Sequence, residues 1–186
     1  MFRMTRTLMM IAAAAAALGG TSAGAALAAT STPAAAAASP APRCEPQDLA
    51  ASLHGQQSAP GYRGGVILTL TNTGQWSCSL DGYPGLGLQD RNHRAVASHT
   101  FWGPTWFDPD PGRQLIVLSP GETASADLAW TSGALLGHAV FAAYLVVTPP
   151  DDFGHLVIPL SLPVVEIPVY RGDLHVTALA RHTPHP

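Results

Sequence analysis

The 186-residue chain contains no lysine: all nine basic residues are Arg, set against twelve acidic residues for a formal charge of −3. Without Lys there is no Schiff-base chemistry. Without a basic excess there is no field to attract nucleic acid or an anionic lipid surface. Charged residues make up 11% of the chain, under half the share of about a quarter that is usual in globular proteins. The two Cys, Cys44 and Cys78, are too few for a four-Cys zinc or iron–sulfur site. The sequence has no Gly-x-Ser-x-Gly elbow, no His-Glu-x-x-His, no Walker loop and no dinucleotide glycine pattern. It carries no catalytic signature and implies no cofactor. Helical periodicity longer than two turns is missing after residue 44, and 18 Gly with 17 Pro interrupt the chain too often for a helical bundle.

What is present begins with a leader. Arg3 and Arg6 precede an unbroken apolar run of eleven residues, 8–18, ended by Gly19-Gly20. Residues 1–28 therefore read as a secretory signal peptide cut after Ala26-Leu27-Ala28, with Ala23-Gly24-Ala25 as the second candidate. As a membrane anchor the run is short: eleven helical residues span roughly 16 Å against a hydrocarbon core of about 30 Å. Pro42 and Arg43 before Cys44 argue against lipid attachment there. Residues 29–43 are almost entirely Ala, Pro, Ser and Thr, with nothing large to bury, and read as a disordered tether. Residues 182–186 read as a disordered tail. With the leader removed, seven Arg against twelve acidic residues leave a formal −5. The expected product is secreted, associated with the cell envelope, not inserted in the membrane, and a monomer.

Residues 44–181 are enough for one core. Short alternating segments separated by turn signals at roughly ten-residue intervals predict an all-β fold. The expected architecture is an immunoglobulin-like antiparallel β-sandwich of about seven to nine strands. Val66, Leu68 and Leu70 point one way, and Ile67, Thr69 and Thr71 the other, before Asn72-Thr73-Gly74 ends the strand. After the turn at Ser119-Pro120-Gly121, the pattern places Ala124, Ala126, Leu128 and Trp130 inward, and Thr123, Ser125 and Asp127 outward. Further strands are expected at 114–118, 140–148, 155–160, 164–170 and 174–179. Residues 48–54 form a strand or one helical turn. Two Cys in an exported chain are most simply a disulfide.

These residues carry a resemblance. Leu68-Thr69-Leu70-Thr71-Asn72-Thr73-Gly74, Cys78-Ser79-Leu80 and Gly82-Tyr83-Pro84-Gly85 continue through Leu118-Ser119-Pro120-Gly121, Ala124, Ala126, Leu128, Trp130 and Thr148-Pro149-Pro150-Asp151. Over about residues 44–179 the pattern resembles a family of exported actinobacterial domains of unknown function. The resemblance implies an immunoglobulin-like sandwich, export with or without lipidation, and a disulfide joining the equivalents of Cys44 and Cys78. It implies no activity. Many members carry a second Cys pair in the C-terminal third, where this chain has none and Tyr170 stands instead. Tyr83, placed beside the disulfide by this reading, is expected to bury its ring and bond its hydroxyl to backbone.

The segment richest in binding potential is Phe101-Trp102-Gly103-Pro104-Thr105-Trp106-Phe107. Four aromatics broken by Gly-Pro predict a loop. Its rings either grip a cell-wall glycan or an envelope protein, or cap one end of the core. The ligand-binding candidates are Trp102 and Trp106, then Phe101 and Phe107, within a surface running over residues 93–112. Two alternatives stay open. A secreted hydrolase would have to draw on Asp108, Asp110, Asp151 and Asp152, although Asp151-Asp152 after Pro149-Pro150 reads as a solvated turn. A copper or zinc site would draw on His93, His99, His182 or His185. No metal is assigned, because a dedicated site needs three or four converging ligands. His175 alternates outward between Leu174 and Val176 and is expected to be solvated.

Overall fold

The computed structural model describes residues 40–135, 137–161 and 165–181. The expected leader (1–28), most of the expected tether and the tail with His182 and His185 lie outside the described residues. Among those described there is one 3-10 turn, Pro46–Asp48, followed by twelve strands and no α-helix. The strands are β1 (Leu49–Ala59), β2 (Arg63–Asn72), β3 (Cys78–Asp81), β4 (Gly85–Gln89), β5 (Ala95–Val96) and β6 (His99–Trp102). They continue as β7 (Leu115–Leu118), β8 (Thr123–Ser132), β9 (Ala139–Ala142), β10 (Tyr144–Thr148), β11 (Leu156–Pro159) and β12 (Ile167–Val176).

The large sheet runs β1-β2-β8-β12-β6, with β9 also on β12; a second runs β11-β10-β4-β5, and β3 pairs with β7. All pairings are antiparallel except β6, which lies parallel to β12. The fold is thus the all-β sandwich that the alternation predicts. Val66, Leu68 and Leu70 of β2 and Ala124, Ala126 and Leu128 of β8 bury their side chains in one cluster. Leu80, Ile116 and Leu118 join them from β3 and β7, and Leu88, Leu145 and Val147 from β4 and β10.

Twelve strands replace the seven to nine that turn spacing predicts because long apolar runs subdivide. Residues 140–148 read as one strand, yet the chain leaves β9 and enters β10 at Ala143, moving from one sheet to the other. Ala142 and Ala143 are both fully buried, which a strand facing a core on one side cannot achieve with consecutive residues. Conversely, 164–170 and 174–179 meet in a single strand, β12. A register shift between Val169 and Leu174 lets its first half pair with β9 and its second half with β8 and β6. Arg171 and Gly172 take positive φ there, and a Cβ on Gly172 would lie 2.1 Å from the Ala97 carbonyl oxygen. Residues 48–54 combine both readings, since the 3-10 turn leads straight into β1.

The start of the domain is held by covalent and polar links together. Cys44 and Cys78 form a disulfide with Cα atoms 4.8 Å apart, and both residues are buried. Hydrogen bonds tie the residues just before Cys44 to β3: Ser79 Oγ donates to Ala41 O and Ser79 N to Pro42 O, while Cys44 N donates to Ser79 O. Asn72, 0% exposed, closes β2. Its Nδ2 donates to the carbonyls of Trp76 (2.8 Å) and Leu118 (2.9 Å), and its Oδ1 accepts from Gly74 N. The Ser119-Pro120-Gly121 turn is tied to the same residue, with Gly121 N donating to Asn72 O and Asn72 N to Glu122 O.

Replacing both Cys by Ser is expected to lower unfolding free energy by roughly 3–4 kcal/mol, the loop-closure entropy of a bridge across 34 positions, as read by urea titration. Asn72→Ala leaves two carbonyls without their donor and is expected to cost about 2–3 kcal/mol in the same titration. A loss under half a kilocalorie would show that water substitutes for the amide.

Candidate functional site

The aromatic segment is a loop from residue 103 to 107, as its Gly-Pro break predicts, but Phe101 and Trp102 before the break belong to a strand. These two end β6, which pairs in parallel with β12 so that Phe101 stands beside His175 and Trp102 beside Val176. Strand alternation then sends neighbouring rings to opposite faces. Phe101 stacks on His175 at 5.0 Å between ring centres, and Trp106 closes over the same imidazole at 4.7 Å. Arg63 lies 5.1 Å from the Trp106 ring, within cation–π range. Phe107 packs against β2 at Gly65, where a Cβ would stand 2.7 Å from its ring. His175 is therefore not solvated but half-buried between two rings. Burial lowers its pKa below the ordinary imidazole value, with Asp173 opposing.

Trp102 faces the other way. Its ring stacks on Tyr83 at 5.6 Å, and its Nε1 donates to Pro84 O at 3.2 Å. Despite both contacts it is 63% exposed. It borders a cleft of about 220 Å³ with Tyr83, Arg113, Thr148 and Asp151. Arg113 spans the rim, its guanidinium 3.1 Å from a carboxylate oxygen of Asp81 on one side and of Asp151 on the other. Tyr83 is not bonded to backbone beside the disulfide as its motif suggests. Its hydroxyl donates to Asp110, and that bond is the main cause raising its pKa above the ordinary phenol value.

A larger cavity, about 460 Å³, lies on the outer face of the large sheet. Its walls are Gln57 of β1, Ile67 of β2, Ser125 and Asp127 of β8, the loop at 107–111, and Thr177, Ala178, Ala180 and Arg181 beyond β12. Alternation assigns Ser125 and Asp127 to solvent, yet both are buried, Asp127 to 2% exposure. The loop after β6 folds back over them. Thr105 Oγ1 donates to Asp127 Oδ1 and also accepts from Phe107 N and Asp108 N. Asp127 N donates to Thr177 Oγ1 at 3.0 Å. Asp127 Oδ2 has no hydrogen-bond partner, and neither has Gln57 Oε1. Burial pushes the Asp127 carboxyl above its ordinary pKa; Thr105 and Gln57 oppose this and the Asp108 charge adds to it.

Of the other carboxylates drawn from the sequence, Asp108 and Asp110 line the same cavity as Asp127, and Asp151 and Asp152 stand at the Trp102 cleft. Asp110 is occupied by Tyr83 and by Ala178 N at 2.9 Å. Burial raises its pKa, but the Ala178 amide, the Tyr83 hydroxyl and the Gly112 amide outweigh this and hold it below the usual range. Asp108 is exposed at the cavity mouth. Asp151 pairs with Arg113 and Asp152 with Arg43, in the turn that Pro149-Pro150 predicts. Among the described residues no three His, Cys, Asp or Glu side chains are grouped to hold a metal. His93 stacks on Tyr144 at 4.0 Å, and His99 is exposed on β6. Asp127 is the residue that sequence reasoning passes over. Its signal was a carboxylate inside Ala-Asp-Leu-Ala-Trp, since Asp is depleted from strands.

The fold and the two clefts just described define a disulfide-stapled all-β domain with stacking and hydrogen-bonding surfaces outside its core. A family model described as a domain of unknown function (DUF4232) matches residues 44–180, and the chain belongs to that family. None of the curated proteins and none of the solved structures compared with the chain matches it. Among the described residues, no helix is long and apolar enough to cross a membrane.

Because the folded pKa of Asp127 lies above its unfolded value, its contribution to stability is complete below the unfolded pKa. It is lost as pH rises through the folded one. Asp127→Asn keeps the acceptor for Thr105 and removes the charge. Melting temperature across pH 4–8 is thus expected to decline less steeply for the variant; identical profiles would show that Asp127 titrates normally.

Proposed function

We propose that this protein is an exported, noncatalytic binding module of the cell envelope whose ligand is a cell-wall glycan. The observation that carries the reading is Trp102, an indole left largely bare at a cleft mouth yet held in one orientation by Tyr83 and the Pro84 carbonyl. A planar ring fixed in advance offers a stacking surface at little ordering cost, as binding hot spots do. The Asp81–Arg113–Asp151 rim supplies both acceptors and donors for hydroxyl groups beside it. Trp106, Phe101 and Phe107 take a supporting role in this reading, since their rings pack on His175 and Gly65. Export is supported by the leader pattern of residues 1–28 and by the disulfide, which persists in oxidising compartments.

Trp102→Ala is expected to weaken retention on insoluble cell-wall material by at least about tenfold, the scale of an aromatic hot spot, with melting temperature nearly unchanged. Trp106→Ala is expected to lower melting temperature with little effect on retention. Unaltered retention of the Trp102 variant would overturn the reading. Retention only on the protein fraction of the envelope would replace the glycan with a protein partner.

A further inference from the structure

The cavity over Asp127 has a one-sided polar inventory. Three carboxylates line it, Asp108, Asp110 and Asp127, with Arg181 as the cation among the lining residues. Arg181 is committed elsewhere, to the Glu122 carboxylate and the Val117 carbonyl, and Asp110 is satisfied by Tyr83 and Ala178. The Gln57 side chain hydrogen-bonds to the Asp127 carboxyl, yet two buried lining atoms, Asp127 Oδ2 and Gln57 Oε1, keep no partner, and both are acceptors in the ionised carboxylate and the amide. A buried acceptor without a donor is costly, and a carboxyl buried without a counter-charge holds its proton more tightly, as Asp127 does, until a cation arrives beside it. Buried polar atoms in native structures are nearly always paired, with protein, water or a bound group.

What would complete the site is a group with several N–H donors and a positive charge. The ammonium of a primary amine has three donors in a compact head, enough to serve Asp127 and Gln57 together. The remaining walls suit its carbon skeleton, since Ile67, Phe107, Pro109 and Pro111 supply apolar surface. A volume of about 460 Å³ is within the usual range of small-molecule sites. A metal ion fits less well, because the lining carboxylates are not grouped as ligands.

We propose that the cavity over Asp127 binds a primary ammonium group carried on a small organic skeleton. The site is separate from the Trp102 cleft and does not depend on its reading. Two sources share this chemistry, an amino sugar and a lysine-type side chain, and the test distinguishes them.

The test is an NMR titration of the full chain with glucosamine and, separately, with an Nα-blocked lysine amide. N-acetylglucosamine and tetramethylammonium serve as comparisons, the first lacking the charge and the second lacking donors. The expected result is saturable shifts at the amides of Ile67, Ser125, Asp127 and Thr177 with at least one amine, and none with the comparisons. Which amine binds more tightly names the source. Asp127→Asn is isosteric, and Gln57→Met alters a side chain on an edge strand. The first is expected to weaken binding about tenfold or more and the second several-fold, as loss of charged and neutral hydrogen bonds does. Absence of shifts with both amines at millimolar concentration would overturn the proposal. So would equal binding of N-acetylglucosamine, or unchanged affinity in a folded Asp127→Asn variant.

Discussion

The bond between Cys44 and Cys78 decides where the chain changes layers. β2 ends at Asn72 in the large sheet and β3 begins at Cys78 against β7, so five residues, 73–77, carry the chain across the sandwich. The disulfide holds the far side of that crossing to the first residues of the domain, and Asn72 holds the near side by bonding to carbonyls on both the crossing and β7. A buried amide with its donors and acceptor used is stabilising only when every partner is in place. The covalent link keeps them in place by reducing the freedom of the unfolded segment. The polar and covalent devices therefore act as one unit.

With that corner secured, the large sheet can offer its outer face to something other than water. Thr69 and Ser125 hydrogen-bond across β2 and β8 at 2.9 Å on that face, and Asp127 continues the row beneath the loop anchored by Thr105. β6 is the element that organises the surroundings. Lying parallel to β12, it directs Phe101 toward the loop side and Trp102 toward the Tyr83 cleft. Asp110 joins the two regions, since it lines the cavity while its carboxylate accepts from Tyr83. The loop that follows β6 thus touches both clefts through this one bond.

Alternation made most of the core legible. Val66, Leu68, Leu70, Ala124, Ala126 and Leu128 are buried as their period of two requires. The turn at Ser119-Pro120-Gly121 forms where its residues predict, closed by Glu122 N on Ser119 O. The same rule misassigned Ser125, Asp127 and His175, because it states which side of a sheet a residue faces and not what covers that side. It also missed the crossing at Ala143 and the joining of two segments into β12. An apolar run reads alike whether it stays in one sheet or passes between two. Tyr83 was placed beside the disulfide by its motif, while the structure sets it against Trp102 and Asp110, partners 19 and 27 positions away.

Local patterning and composition determined the fold class, the disulfide partners and the concentration of binding-capable rings between residues 101 and 107. Those properties depend on side-chain period, on there being only two Cys to pair, and on residue type, all of which are local or countable. Tertiary structure alone decided that the four rings divide between two faces, that Asp127 lies buried with one oxygen unpartnered, and that Asp110 accepts from the Tyr83 phenol. These are consequences of which distant strands become neighbours. That choice is made by burial summed over the whole core, and no short stretch of residues contains it.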